Sequence, residues 1–116
     1  MQYMLLIYGN EEGMKTATPG DREAMFKAYG EFTASIVKSG NMKAGDALQP
    51  TASATTVRVR DGKTLTTDGP FAETKEQLGG YYLVEADSIE DAAKIGAAIP
   101  SARMGGSVEV RELVEM

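Results

Sequence analysis

The sequence predicts an α+β fold: a ferredoxin-like split βαβ arrangement with an inserted β-hairpin, two copies of which form a dimeric α+β barrel. Three observations carry this. Two helical stripes are interleaved with strand-length segments in the order strand, helix, strand, hairpin, strand, helix, strand. Asp61-Gly62 stands between two alternating runs, as a hairpin turn does. The first strand is apolar on both faces, so a single layer of two helices leaves its second face in need of cover.

Each element has its own local reason. Tyr3 to Tyr8 is an unbroken apolar run, too short for a helix and ended by Gly9-Asn10, so it is a buried strand. A polar loop leads to Pro19 in a helix-opening position, with Asp21 and Glu23 where the helix dipole favours anions. Met25, Tyr29, Phe32 and Ile36 then form one apolar stripe on a helix that stops near Gly40. Met42 to Leu48 is weakly strand-like, and Pro50 opens a connection.

In the hairpin, Val57 and Val59 alternate with Arg58 and Arg60 before Asp61-Gly62 and the return from Lys63 to Thr67. A two-residue turn sets Leu65 opposite Arg58, whereas a three-residue loop sets it on the valine face. The three-residue loop is expected, with Gly62 in the left-handed conformation. Tyr81 to Ala86 resumes a strand, and Asp87 or Ser88 caps a second helix with Ile89, Ala92, Ala93, Gly96 and Ile99 on one face, ended by Pro100. Ser107 to Val114 alternates, with Val108, Val110 and Val114 on one side, and is the last strand.

At 116 residues and without an internal repeat or linker, residues 1–116 make a single domain. The absence of Cys and His removes disulfides, thiolate nucleophiles, Cys/His zinc sites and imidazole catalysis. Any general acid or base is therefore Asp, Glu, Lys or Tyr. A net charge of −5 is the wrong sign for a nucleic-acid partner. The opening MQYMLLIYGN has neither a basic flank nor an apolar run of signal-peptide or membrane-span length, so no membrane partner and a cytoplasmic location are expected. No metal site and no cofactor are expected either; the acidic pairs lack the spacing of a calcium loop, and neither Gly79-Gly80 nor Gly105-Gly106 lies in a strand-to-helix phosphate turn.

Chemistry concentrates in Asp68-Gly69-Pro70-Phe71-Ala72-Glu73-Thr74-Lys75-Glu76. Gly69 and Pro70 restrict the backbone at a strand end, Phe71 can anchor the loop, and Asp68, Glu73 and Lys75 bring charge. At the mouth of an aromatic-walled pocket, desolvation would lift the Asp68 carboxyl into the range of a general base. The same Asp-Gly-Pro also serves as a plain turn with Asp as its cap. Tyr8, Tyr81 and Tyr82 lie on strands, where tyrosines pack and tether a hydroxyl; if one of them shares the open sheet face with Arg111 or Glu85, that face is a polar-aromatic cavity rather than a dry interface, and Tyr8 and Tyr81 are the candidate ligand contacts. Arg103, after the second helix, suits a bidentate anion contact or an ordinary helix C-terminus.

The string DGPFAETKE, continuing as QLGGYYLVEADSIEDA, resembles the signature of the DGPF group within the YCII-related proteins. MQYMLLIYGN, Tyr29-Gly30-Glu31-Phe32-Thr33, ATTVRVRDGKTLTTDGPFAETKE and Gly106-Ser107-Val108-Glu109-Val110-Arg111 stand in matching order, so the resemblance spans essentially the whole chain. It implies dimeric α+β barrels of ferredoxin-like protomers and Asp68 as the matching acidic position. Some of the wider group present a His–Asp pair, which a chain without His cannot form. Members of the group it resembles are frequently encoded beside extracytoplasmic-function sigma factors, so the resemblance implies a regulatory context.

Together these readings set two functional expectations and a structural one, in which the loop at Asp68 only closes the dimer and Asp68→Ala weakens association rather than ligand binding. The first is a homodimer binding a small polar metabolite near Asp68, with Asp68 the base of a proton transfer and Tyr8, Phe71, Glu73, Lys75, Tyr81 and Arg103 binding the ligand. The second is a non-catalytic accessory protein that binds a regulatory protein in sigma-factor-linked transcription.

Overall fold

A computed structural model describes all 116 residues. In chain order it contains β1 (Gln2–Gly9), α1 (Glu11–Met14), α2 (Pro19–Lys38), β2 (Met42–Ala47), β3 (Thr55–Arg60), β4 (Lys63–Asp68), β5 (Gln77–Glu85), α3 (Ile89–Ala97) and β6 (Ser107–Glu112). One-turn 3-10 helices occupy Thr51–Ser53 and Pro100–Arg103. Four strands form one antiparallel sheet in the order β2-β5-β1-β6, and β3 pairs with β4 in a separate two-stranded sheet.

Alternation along β1 decides how the sheet is clothed. Tyr3, Leu5 and Ile7 are buried, while Met4, Leu6 and Tyr8 between them are only half-buried. The first set joins Tyr82 and Val84 of β5, Phe32 and Ile36 of α2, Ala92 of α3, and Ala86 and Ile99 in one core. Phe32 meets Tyr82 edge-on with ring centroids 5.1 Å apart, and the Tyr82 hydroxyl pairs with Thr33 Oγ1 at 2.7 Å. A phenol is thereby buried with its polar end satisfied. The helices cover this face alone; the sheet is open and does not close a barrel within one chain.

Helix α2 begins at a capping box. Thr18 Oγ1 accepts the Asp21 N–H, and the Asp21 carboxylate accepts the Thr18 N–H in return. Two N–H groups without intrahelical partners are satisfied this way, and those bonds hold the Asp21 carboxyl below its ordinary pKa. Ser88 caps α3 through the Asp91 N–H. Of the residues expected on the inner side of α3, Ala92 and Gly96 are buried, whereas Ala93 and Ile89 are exposed and Ile95 packs on the core instead.

Four expectations are corrected. The stretch before Pro19 is not all loop, because Asn10 accepts the N–H groups of Glu12 and Gly13 and nucleates α1. β5 starts at Gln77 rather than Tyr81, through a bulge at Gly79 that slips the pairing from Ile7–Gly80 to Tyr8–Leu78. β6 ends at Glu112, so Val114 lies past the strand and is exposed. The hairpin closes in two residues, with Arg60 paired to Lys63 and positive φ at both Asp61 (51°) and Gly62 (75°), a type I′ turn. Leu65 therefore faces Arg58, not the valines. Setting Leu65 beside the valines would require a buried hairpin face, and this hairpin has none; turn twist alone selects the loop.

Candidate functional site

Asp68 ends β4 opposite Thr55 and is exposed. The next residue fixes the loop to the hairpin base: the Gly69 N–H donates to Ala54 O at 2.7 Å, and Thr56 Oγ1 donates to Gly69 O at 2.8 Å. Gly69 has φ 102°, a conformation in which a side chain is strained, so glycine is required for this exit. Phe71 is 77% exposed, and its ring carries the Arg58 guanidinium 5.3 Å from the centroid. Glu73 and Lys75 point to solvent without ion-pair partners. Further on, Gln77 donates to Thr74 O and accepts the Glu11 N–H at 2.9 Å, while the Glu11 carboxylate accepts the N–H and hydroxyl of Thr51. Both ends of the hairpin insertion are thus tied to α1, and its middle is free.

A second constellation lies on the uncovered sheet face. Strand register places Ala44, Leu83, Met4 and Arg111 in one row across the sheet, and Asp46, Tyr81, Leu6 and Glu109 in the next. Tyr8, opposite Ser107, stands on the same face. An apolar floor therefore runs between two polar rims. At one rim the Tyr81 hydroxyl donates to Asp46 Oδ2 at 2.7 Å; this bond to a carboxylate holds the phenol above its ordinary pKa. At the other, Arg111 Nε stands 3.7 Å from Glu109 Oε2. Such a face can hold a molecule with an apolar body and hydrogen-bonding ends, provided something covers it.

Arg103 is on the opposite side, in the helical layer. Its Nε points at Ala97 O (3.4 Å), at the end of α3, and it borders a groove of about 450 Å³ with Glu31, Phe32 and Ser35 of α2. The 3-10 turn that carries it is pinned to α2 by a 2.5 Å hydrogen bond between the hydroxyls of Tyr29 and Ser101. Burial raises the Tyr29 pKa. Of the candidate residues, then, Tyr8 and Tyr81 share one face, Asp68, Phe71, Glu73 and Lys75 share the hairpin and its exit loop, and Arg103 joins neither group.

The family model described as the YCII-related domain matches residues 1–116. The chain belongs to the YCII-related family. Among its relatives, an uncharacterised protein of Rhizobium meliloti (strain 1021) is 34% identical over 114 residues, covering 97% of this chain and 92% of that protein. The uncharacterised protein YjpA of Bacillus subtilis (strain 168) is 44% identical over 50 residues, covering 43% of this chain and 55% of its own length.

Asp46 is absent from the residues that sequence reasoning selects. Its signal is indirect, since only the pairing of β2 with β5 brings it to Tyr81, and β2 is the weakest strand pattern in the chain. Glu11 is missed for the opposite reason: its partners Thr51 and Gln77 stand 40 and 66 residues away. No three acidic side chains converge as metal ligands.

Proposed function

We propose that this YCII-related protein is a cytoplasmic homodimer of ferredoxin-like protomers whose uncovered sheet faces pack against each other, and that the enclosed space receives a small polar metabolite. The observation carrying this reading is the β1 face of Met4, Leu6 and Tyr8, apolar yet uncovered by any helix, with Tyr81–Asp46 and Glu109–Arg111 as polar rims. A second copy removes that face from water and leaves the rims to bind. The strand order β2-β5-β1-β6, with the hairpin between β2 and β5, supports the ferredoxin-like reading of the protomer. Asp68 is the base of an associated proton transfer, and Lys75 of the same loop neutralises an anionic group on the ligand.

A thermal-shift screen of polar metabolites against the wild type and Asp68→Asn tests this. A ligand present at one hundred times its Kd adds about 2.7 kcal/mol of stability. Stabilisation of the wild type with a smaller shift in Asp68→Asn is expected. Equal shifts in both remove Asp68 from the site, and turnover by Asp68→Asn at the wild-type rate removes it as the base.

The acidic balance of −5 favours a second reading, a non-catalytic accessory protein in sigma-factor-linked regulation that binds its protein partner through the acidic surface. Capture of a sigma factor on immobilised protein at physiological salt is its expected outcome; no capture rejects it.

A further inference from the structure

The β3–β4 hairpin is built as an arm. It pairs fully with itself and packs substantially on no other element of its chain. Val57, Val59 and Leu65 are each about half exposed or more, and Phe71 at its base is more exposed still. The arm spreads the molecule to 47 × 44 × 19 Å with a radius of gyration of 16.0 Å, against about 13 Å for a compact domain of this length. A lone two-stranded hairpin is at best marginally stable in water, so this one lacks a surface to lie on.

Charge says which surface fits. The hairpin Thr55–Asp68 carries three cations, Arg58, Arg60 and Lys63, against two anions, so it is +1 where the remaining chain is −6. None of the three is in an ion pair, and Arg60 and Lys63 flank the turn. Their complement lies at the far end of the main sheet. There Met1, Glu85, Glu112, Leu113, Val114 and Glu115 border a hollow of about 270 Å³. Glu85 is engaged by the chain's amino group at 2.6 Å, while Glu112 and Glu115 are unpaired beside exposed Val114.

The arm leaves from the end of the sheet where Ala47 pairs with Gly80, and the hollow sits at the end where Gln2 pairs with Glu85. In a face-to-face pair whose two-fold axis crosses the strands, each copy's arm end overlies its partner's hollow end. The contact then occurs twice, as an isologous interface demands.

We propose that the hairpin is a dimer arm seated in the acidic hollow of a second copy of this chain, its valine face laid on the hollow so that Val57 and Val59 meet Leu113 and Val114, while the long side chains of Arg60 and Lys63, which flank the turn on the other face, reach round the tip to Glu112 and Glu115. The proposal rests on the homodimer and specifies how it is locked. It also carries the Asp68 loop from one copy toward the other, so that a site using Asp68 and the open face draws on both chains.

Because the chain has no cysteine, introduced thiols report the contact cleanly. Val59→Cys and Val114→Cys single variants are mixed and oxidised, and Val57→Cys serves as a second arm position; sedimentation velocity of the untreated wild type gives the oligomeric state. The expected result is a dimeric wild type and a disulfide-linked species of twice the chain mass from at least one mixed pair, absent from each variant alone. Glu112→Lys/Glu115→Lys should raise the dimer Kd by about tenfold or more, and Arg60→Glu/Lys63→Glu in the same chain should return it to within about threefold. A dimeric wild type with no cross-link in either mixture and no effect of charge reversal overturns the arm while leaving the homodimer standing. A wild type that sediments as a monomer at 100 times the concentration used for cross-linking overturns both. A Val59→Cys/Val114→Cys double variant that closes within one chain also overturns the arm, since it then folds on its own body.

Discussion

Tyr81 and Asp46 show how a pair of ordinary surface residues gains a distinguishable chemistry from register alone. The phenol donates at 2.7 Å to a carboxylate, and ionising it would set two negative charges side by side, so its pKa lies above the usual value of 10.0. A raised folded pKa makes the linkage sign definite: the pair's contribution to stability is complete below the unfolded tyrosine pKa and is lost as pH rises through the folded one. Ultraviolet titration of phenolate absorbance should therefore show one tyrosine ionising earlier in Asp46→Asn than in the wild type, with the same tyrosine missing from the titration of Tyr81→Phe. An unchanged curve in Asp46→Asn removes the bond. Half of this pair is legible in the sequence, because a tyrosine on a strand needs a partner for its hydroxyl. The partner is not, since a short β2 of Met-Lys-Ala-Gly-Asp-Ala carries almost no periodic signal.

At the scale of elements, close backbone approach fixes joints that composition labels only as turns. A Cβ on Gly106 would stand 2.6 Å from Tyr8 O and 2.8 Å from Ser101 O, both rigid main-chain atoms, where the 3-10 turn and β6 meet β1. Gly106→Ala should thus cost about 1–3 kcal/mol in urea unfolding by forcing that joint apart. Gly30→Ala is the control: it lies on α2 with open space around its Cβ position and should hold or raise stability. Equal midpoints for the two variants would contradict the packing at the joint. Helices and long strands were readable because their periodicity reports the core they face, as Phe32, Ile36 and the alternating half of β1 do. The same rule fails at the hairpin turn, since an arm whose two faces are both exposed has no core to impose register, and the Asp61-Gly62 turn sets it instead.

The whole molecule is described by the contrast between adjacent residues of one strand. Leu5 is fully buried under the helices, while Leu6 belongs to the uncovered face that the dimer reading closes. Ten hydrophobic residues make up the buried core of this 116-residue chain, and its spread shape leaves apolar surface exposed; in the proposed dimer, association supplies the further burial. The two positions should respond in opposite ways. Leu5→Ala opens a cavity in the core and should lower unfolding stability by about 3 kcal/mol at every protein concentration, with any dimer still forming below the melt. Leu6→Glu places a charge on the proposed sheet-to-sheet contact and should convert that dimer to a monomer in sedimentation velocity, while far-ultraviolet circular dichroism keeps the wild-type spectrum. The wild-type Tm should rise with concentration and the Leu6→Glu Tm should not, because only a molecule whose folded state associates is stabilised by mass action. If Leu6→Glu sediments like the wild type, the uncovered face is not the contact, and the ligand space proposed between two sheets goes with it.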